Sequence, residues 1–144
     1  MSISWVSGIL RQYPREDRPD LMHIEVCSGL CLATNGHVIL MSDTDLPDGP
    51  YDYVLGTKLP NRLYKSFFDP AIQKFADAAD LPLSGGPVIT ESGVMFEDIL
   101  VQAKYWNIVK NSARDLRAGW WSKDMSYLLG SNPNGSFLIA GLKE

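Results

Sequence analysis

The sequence predicts an α+β domain, an antiparallel sheet carrying two main helices, and three observations lead there. Residues 21–41 alternate between apolar and polar positions around an Asn35-Gly36 pair. Residues 69–79 and 97–116 carry apolar side chains at helical spacing. Residues 125–142 hold two more apolar runs around Ser131-Asn132-Pro133-Asn134-Gly135. Strands and helices that come in runs, without strict alternation, belong to the α+β class. At 144 residues, 45% of them hydrophobic, the chain reads as a single domain, 1–144, able to bury a core without disulfides.

The elements follow in order. Ile3, Val6, Ile9 and Leu10 fit a short helix or an irregular strand over Ser2 to Tyr13, and Gly8 weakens the helix. Pro14 to Asp20 is a charged loop between prolines. Met22, Ile24 and Val26 alternate with His23, Glu25 and Cys27, the period of a half-buried strand. Ser28-Gly29 reads as a turn. A type I′ turn at Asn35-Gly36 then joins Leu30–Thr34 to Val38–Met41, since both central residues of that turn need positive φ. Three consecutive strands result. Tyr51 to Leu55 extends the sheet, with Tyr51, Tyr53 and Leu55 on one face.

Asp69-Pro70 starts a helix, with Asp69 capping and Pro70 where its missing N–H costs nothing. Ile72, Phe75, Ala76 and Ala79 form its inner face, and Leu81-Pro82 ends it. Ser84-Gly85-Gly86-Pro87 is a connector. Val88–Thr90 and Val94–Phe96 make a small hairpin around Ser92-Gly93. Glu97 to Leu116 reads as the main helix, with Ile99, Ala103, Trp106, Val109, Ala113 and Leu116 in one stripe. Lys110, Arg114 and Arg117 line its flank, and Gly119 stops it. Met125–Leu129 and Ser136–Leu142 close the chain as a hairpin with a longer loop. Neither an internal repeat nor a low-complexity tract is visible.

Composition narrows the function. A net charge of −4 gives no bulk attraction to nucleic acid, though a local basic face acts within roughly 8–10 Å. The apolar runs fall short of the ~18–20 residues that span a bilayer, and the first residues lack the pattern of a signal peptide. The expectation is a cytoplasmic protein without membrane contact. Cys27 and Cys31 read as small apolar residues in a reducing compartment. A zinc site joining them to His23 and His37 would need ligands that a strand points to different faces.

Catalytic patterns are weak. Ser84-Gly85-Gly86-Pro87 lacks the lysine and spacing of a phosphate loop. No Gly-x-Ser-x-Gly elbow or His-Glu-x-x-His motif occurs. Glu97 and Asp98 form an adjacent carboxylate pair at a helix start, where acids also complement the helix dipole. The expectation is a protein without enzymatic activity and without a cofactor. Trp120 and Trp121, with Lys123 nearby, offer an aromatic surface for a partner or for stacking on bases. Both also suit anchors of the strand after the helix. Lys110, Arg114 and Arg117 offer a track for phosphates, or simply a solvated face.

Leu32-Ala33-Thr34-Asn35-Gly36-His37-Val38-Ile39-Leu40 resembles the Ala-Thr-Asp-Gly-His-Arg-Leu hairpin of bacterial DNA polymerase sliding clamps, the β-clamp family. It resembles still more the short clamp-like proteins of phages and prophages. Asp45-Leu46-Pro47-Asp48-Gly49-Pro50-Tyr51 is similar to the family's exit from that hairpin, and Asn134-Gly135-Ser136-Phe137-Leu138-Ile139 to its closing strand. Asn35 stands at the family's aspartate and Val38 at its arginine. Ala140-Gly141-Leu142-Lys143-Glu144 replaces its C-terminal Met-Pro-x-Arg-Leu.

The resemblance implies a single clamp-like (DNA clamp) domain that binds replication proteins through a short hydrophobic peptide. Thr34, Gly36 and His37 take the matching positions of the peptide-docking edge. It also implies a homo-oligomer, since a clamp ring holds several such domains. Lys110, Arg114 and Arg117 are the candidates for contact with the DNA backbone, matched by chemistry and not by sequence. The alternative is a small interaction or inhibitor protein, unrelated to clamps, that uses a Trp120/Trp121 surface.

Overall fold

The computed structural model describes residues 2–60, 66–77, 83 and 86–142. The chain is α+β with antiparallel strands, and it divides into two compact units, Met1–Gln73 and Lys74–Glu144.

The first unit opens with α1 (Ser2–Gln12). Val6, Ile9 and Leu10 are fully buried at i, i+3, i+4 spacing. Gly8 is tolerated because this inner face supplies the stability. Arg11 sits in the last turn, where a cation complements the dipole. Pro14 follows Tyr13 and disfavours further helix. After a single 3-10 turn at Pro19–Leu21, three strands come as expected: β1 (Ile24–Cys27), β2 (Leu30–Thr34) and β3 (Val38–Asp43). With β4 (Gly49–Tyr51) they pair in the order β4-β1-β2-β3, and α1 packs on β2 and β3.

Two expectations change in this unit. Two of the positions expected to be polar and outward are covered: His23, just before β1, is fully buried and Glu25 nearly so. The Phe67 ring lies 4.9 Å from His23, and the Phe67 N–H donates to Glu25 Oε2 at 2.7 Å. The strand at Tyr51 also stops there and does not reach Leu55. Asp52 Oδ2 accepts from the N–H groups of Val54 and Leu55, the local bonding by which Asp turns a chain. Val54 and Leu55 are left exposed.

The helix predicted at Asp69 is α2 (Phe68–Asp77). It starts a residue earlier, with Ser66 Oγ accepting from the Phe68 N–H. Ala71 is buried and Ile72 and Phe75 are half-buried, while the side chain of Ala76 lies outside the described set. Ala79, Leu81-Pro82 and Ser84-Gly85 lie outside the described residues.

In the second unit, β5 (Val88–Ile89) and β6 (Val94–Phe96) form the expected small hairpin. The main helix expected over Glu97 to Leu116 is absent. In its place stand β7 (Ile99–Val101), α3 (Ala103–Val109) and the start of β8 (Arg114–Ser122). Glu97, Ser112 and Asp115 have φ of 54°, 57° and 55°, left-handed values that no right-handed helix contains. Ile99-Leu100-Val101 pairs with β6 instead. Within α3, Trp106 and Val109 do point inward; Trp106 meets Phe96 edge-on at 4.7 Å and Phe137 at 6.5 Å.

Residue Gly119 lies inside β8 and ends no helix. β8, β9 (Met125–Asn132) and β10 (Gly135–Ala140) form an antiparallel meander. The last hairpin is tighter than expected, pairing Asn132 with Gly135. Gly130 faces Phe137, and a Cβ there would come within 2.7 Å of that ring and of Leu116. Tyr127, Leu128, Phe137, Leu138 and Ile139 are buried apolar residues of the β9–β10 hairpin.

A repeat invisible in the sequence emerges from these elements. Each unit runs from a helix into three antiparallel strands, α1-β1-β2-β3 and α3-β8-β9-β10. Each places a buried asparagine, Asn35 or Asn132, where its second hairpin begins.

Candidate functional site

The β2–β3 hairpin is built from its asparagine. Asn35 is 1% exposed. Its Nδ2 donates to the Tyr13 carbonyl at 3.1 Å. Its Oδ1 accepts from the N–H groups of His37 and Val38 at 2.9 and 3.1 Å. This inward side chain shifts the turn from the one expected. Thr34 pairs with Ile39, so Gly36 and His37 form the tip, and positive φ falls on Gly36 (91°) and not on Asn35. The turn is therefore not type I′ at Asn35-Gly36. The positive-φ pair sits instead at Ser28 (52°) and Gly29 (83°), between the paired Cys27 and Leu30.

The expected docking residues divide. Thr34 is buried, and its Oγ1 accepts from the Gly36 N–H at 3.1 Å. Gly36 and His37 are exposed. Arg15 braces them: its Nη1 donates to the Asn35 carbonyl at 3.1 Å and lies 3.0 Å from His37 Nε2. A guanidinium only donates, so Nε2 accepts and the ring proton sits on Nδ1. The other edge of Arg15 holds Asp17 through two bonds of 3.0 and 3.1 Å. That hydrogen bond holds the Asp17 carboxyl below its ordinary range. The tip is thus a fixed platform presenting one imidazole.

The second hairpin repeats the latch. Asn132 Nδ2 donates to the Val109 carbonyl at 3.0 Å, and its Oδ1 accepts from Asn134 and Gly135 at 2.9 and 3.2 Å. Both asparagines tie the end of a helix to a hairpin, with the same i+2 and i+3 offsets. The signal in the sequence is an asparagine preceded by Thr or Ser and followed, past the tip, by Val38-Ile39-Leu40 or Phe137-Leu138-Ile139.

Lys110, Arg114 and Arg117 are exposed but share no helix. Lys110 caps α3, while Arg114 and Arg117 lie in β8 on either side of a register shift. The expected basic line along one helix flank is overturned with the helix. Glu97 and Asp98 form the exposed β6–β7 turn and no helix start.

Trp120 lies in β8, opposite Ser126 and beside a second register shift. It is 53% exposed, so it is no core anchor; the side chain of Trp121 is outside the described set. Two cavities meet at Trp120. One, about 230 Å³, is also bounded by Asp98, Leu100, Lys123, Asp124 and Leu142. The other, about 120 Å³, is also bounded by Phe96, Glu97, Asp98 and Ile99.

Among the described residues, no group of three or more His, Cys, Asp and Glu is placed to hold a metal ion. No described helix is long and apolar enough to cross a membrane. Cys27 and Cys31 are not joined in a disulfide. Compared with known proteins, the chain matches no family model, no curated protein and no solved structure.

Proposed function

We propose that this chain is a non-enzymatic, clamp-like binding protein of phage or prophage origin that docks a short hydrophobic peptide of a replication protein at the β2–β3 hairpin tip. The observation that carries the reading is the braced tip. Asn35 latches the hairpin to the end of α1, and Arg15 holds His37 from the side. An exposed group already fixed in place loses little conformational freedom on binding, which favours affinity. The resemblance to sliding clamps falls on the same residues. Thr34 supports the tip from within, so Gly36 and His37 carry the contact.

His37→Ala tests the reading. The side chain is exposed, so the fold should survive. A fluorescence titration with a labelled short hydrophobic peptide of a host replicative polymerase should show affinity weakened about tenfold, or ~1.4 kcal/mol. Unchanged affinity would reject the hairpin edge.

A second reading has its own observation. An exposed tryptophan that borders two cavities is typical of a protein-binding hot spot. It supports a small interaction or inhibitor protein working through Trp120. Partner binding that survives His37→Ala but fails with Trp120→Ala would favour it.

A further inference from the structure

The Trp120 surface carries a charge pattern that identifies the chemistry of its occupant. Its two cavities share Trp120 and Asp98. With Trp120, the two cavities are bordered by three acidic residues, Glu97, Asp98 and Asp124, and one cation, Lys123. All four charged residues are exposed and lie on turns: Glu97 and Asp98 between β6 and β7, Lys123 and Asp124 between β8 and β9. Among the described residues, Asp98, Lys123 and Asp124 take part in no ion pair or side-chain hydrogen bond. The larger cavity, about 230 Å³, is below the roughly 300–1,000 Å³ of small-molecule pockets. It suits one side chain.

We propose that this groove binds an arginine side chain of a partner protein. The indole face attracts a cation, and a planar guanidinium stacks on it. Asp98 and Asp124 come from different turns at the same cavity and offer acceptors for a forked donor. Leu100 and Leu142 supply apolar surface for the aliphatic stem. Lys123 opposes the incoming charge, but the carboxylates outnumber it. Glu97, at φ 54°, holds a left-handed conformation that β-carbon sterics disfavour, the kind of local strain that gathers at binding sites. This inference rests on the reading of Trp120 as a docking surface.

The test uses the full chain and three tripeptide probes, acetyl-Gly-Arg-Gly-amide, its citrulline analogue and acetyl-Gly-Glu-Gly-amide. The readout is the Trp120 indole N–H signal in a nitrogen–proton NMR titration. The arginine probe should give a saturable shift and the citrulline probe none. Asp98→Asn with Asp124→Asn should weaken binding about tenfold, as loss of charge-assisted bonds does. Lys123→Gln should tighten it. These exposed substitutions leave the fold intact, which the dispersion of the same spectra verifies. If the glutamate probe binds at Trp120 and the arginine probe does not, the arginine assignment is overturned while the surface stands. If no probe shifts Trp120, both the assignment and the surface fall.

Discussion

Replacing Asn35 or Asn132 with alanine probes the shared latch most sharply. Each side chain makes three hydrogen bonds to backbone and is at most 5% exposed. A net contribution of about 1 kcal/mol per bond sets the loss at about 3 kcal/mol for either variant. In Asn35→Ala the Val38 N–H is left inside a residue only 1% exposed, where water does not replace the lost acceptor. That pushes the cost toward the upper side. Asn111→Ala is the control: Asn111 is exposed and has no such bonds, so its effect should stay within about 0.5 kcal/mol. Urea denaturation followed by tryptophan fluorescence measures all three. Losses for Asn35→Ala and Asn132→Ala as small as the control's would refute the latch.

Three further outcomes are expected. Ser28 holds φ 52° before Gly29; Ser28→Asn should raise stability by a few tenths of a kcal/mol, because Asn-Gly suits a type I′ turn better, and a lowered urea midpoint would count against the turn assignment. The Tyr51 hydroxyl donates to the Pro47 carbonyl at 2.7 Å, and burial, with Asp48 nearby, raises its pKa. Its contribution should be complete below pH 10, the ordinary tyrosine value, and fade as pH rises through the higher folded value; Tyr51→Phe should flatten that alkaline decline in thermal melts. A Cβ at Gly93 would run into the Val101 carbonyl oxygen at φ 151°, so Gly93→Ala should destabilise the second unit by more than about 2 kcal/mol. A wild-type melting temperature for that variant would show that the β6–β7 pairing differs.

Some elements were legible because one local pattern decided them. The spacing of Ile3, Val6, Ile9 and Leu10 suits a short helix or an irregular strand, and the helix is the outcome, with Val6, Ile9 and Leu10 fully buried in α1. The alternation from Met22 to Met41 predicted three strands, and β1 to β3 are there. The region from Glu97 to Leu116 was misread because helical spacing and two short strands share the same apolar positions. Ile99 and Val101 fill a strand face, Trp106 and Val109 a helix face, and the breaks fall on Glu97, Ser112 and Asp115. None of these is a glycine, so no residue type announced the left-handed backbone.

The candidate sites were legible in proportion. The motif indicates the hairpin and an exposed His37, but it places the turn at Asn35-Gly36, one residue before the tip that forms, and it does not reveal the role of Asn35. Its bond partner, Tyr13, is 22 residues away. The repeat is invisible in the sequence for the same reason: what the units share is a side chain closing on a distant carbonyl, and little sequence. Trp120 was singled out, yet its setting required the β6–β7 and β8–β9 turns to converge at one cavity.

The docking proposal is tested most directly by mapping the polymerase peptide on the nitrogen-labelled wild-type protein by NMR. The largest amide shifts should fall on Gly36 and His37, with smaller ones at Arg15 beside them. Shifts centred on Gly119, Trp120 and Asp124, with the hairpin tip unmoved, would contradict it.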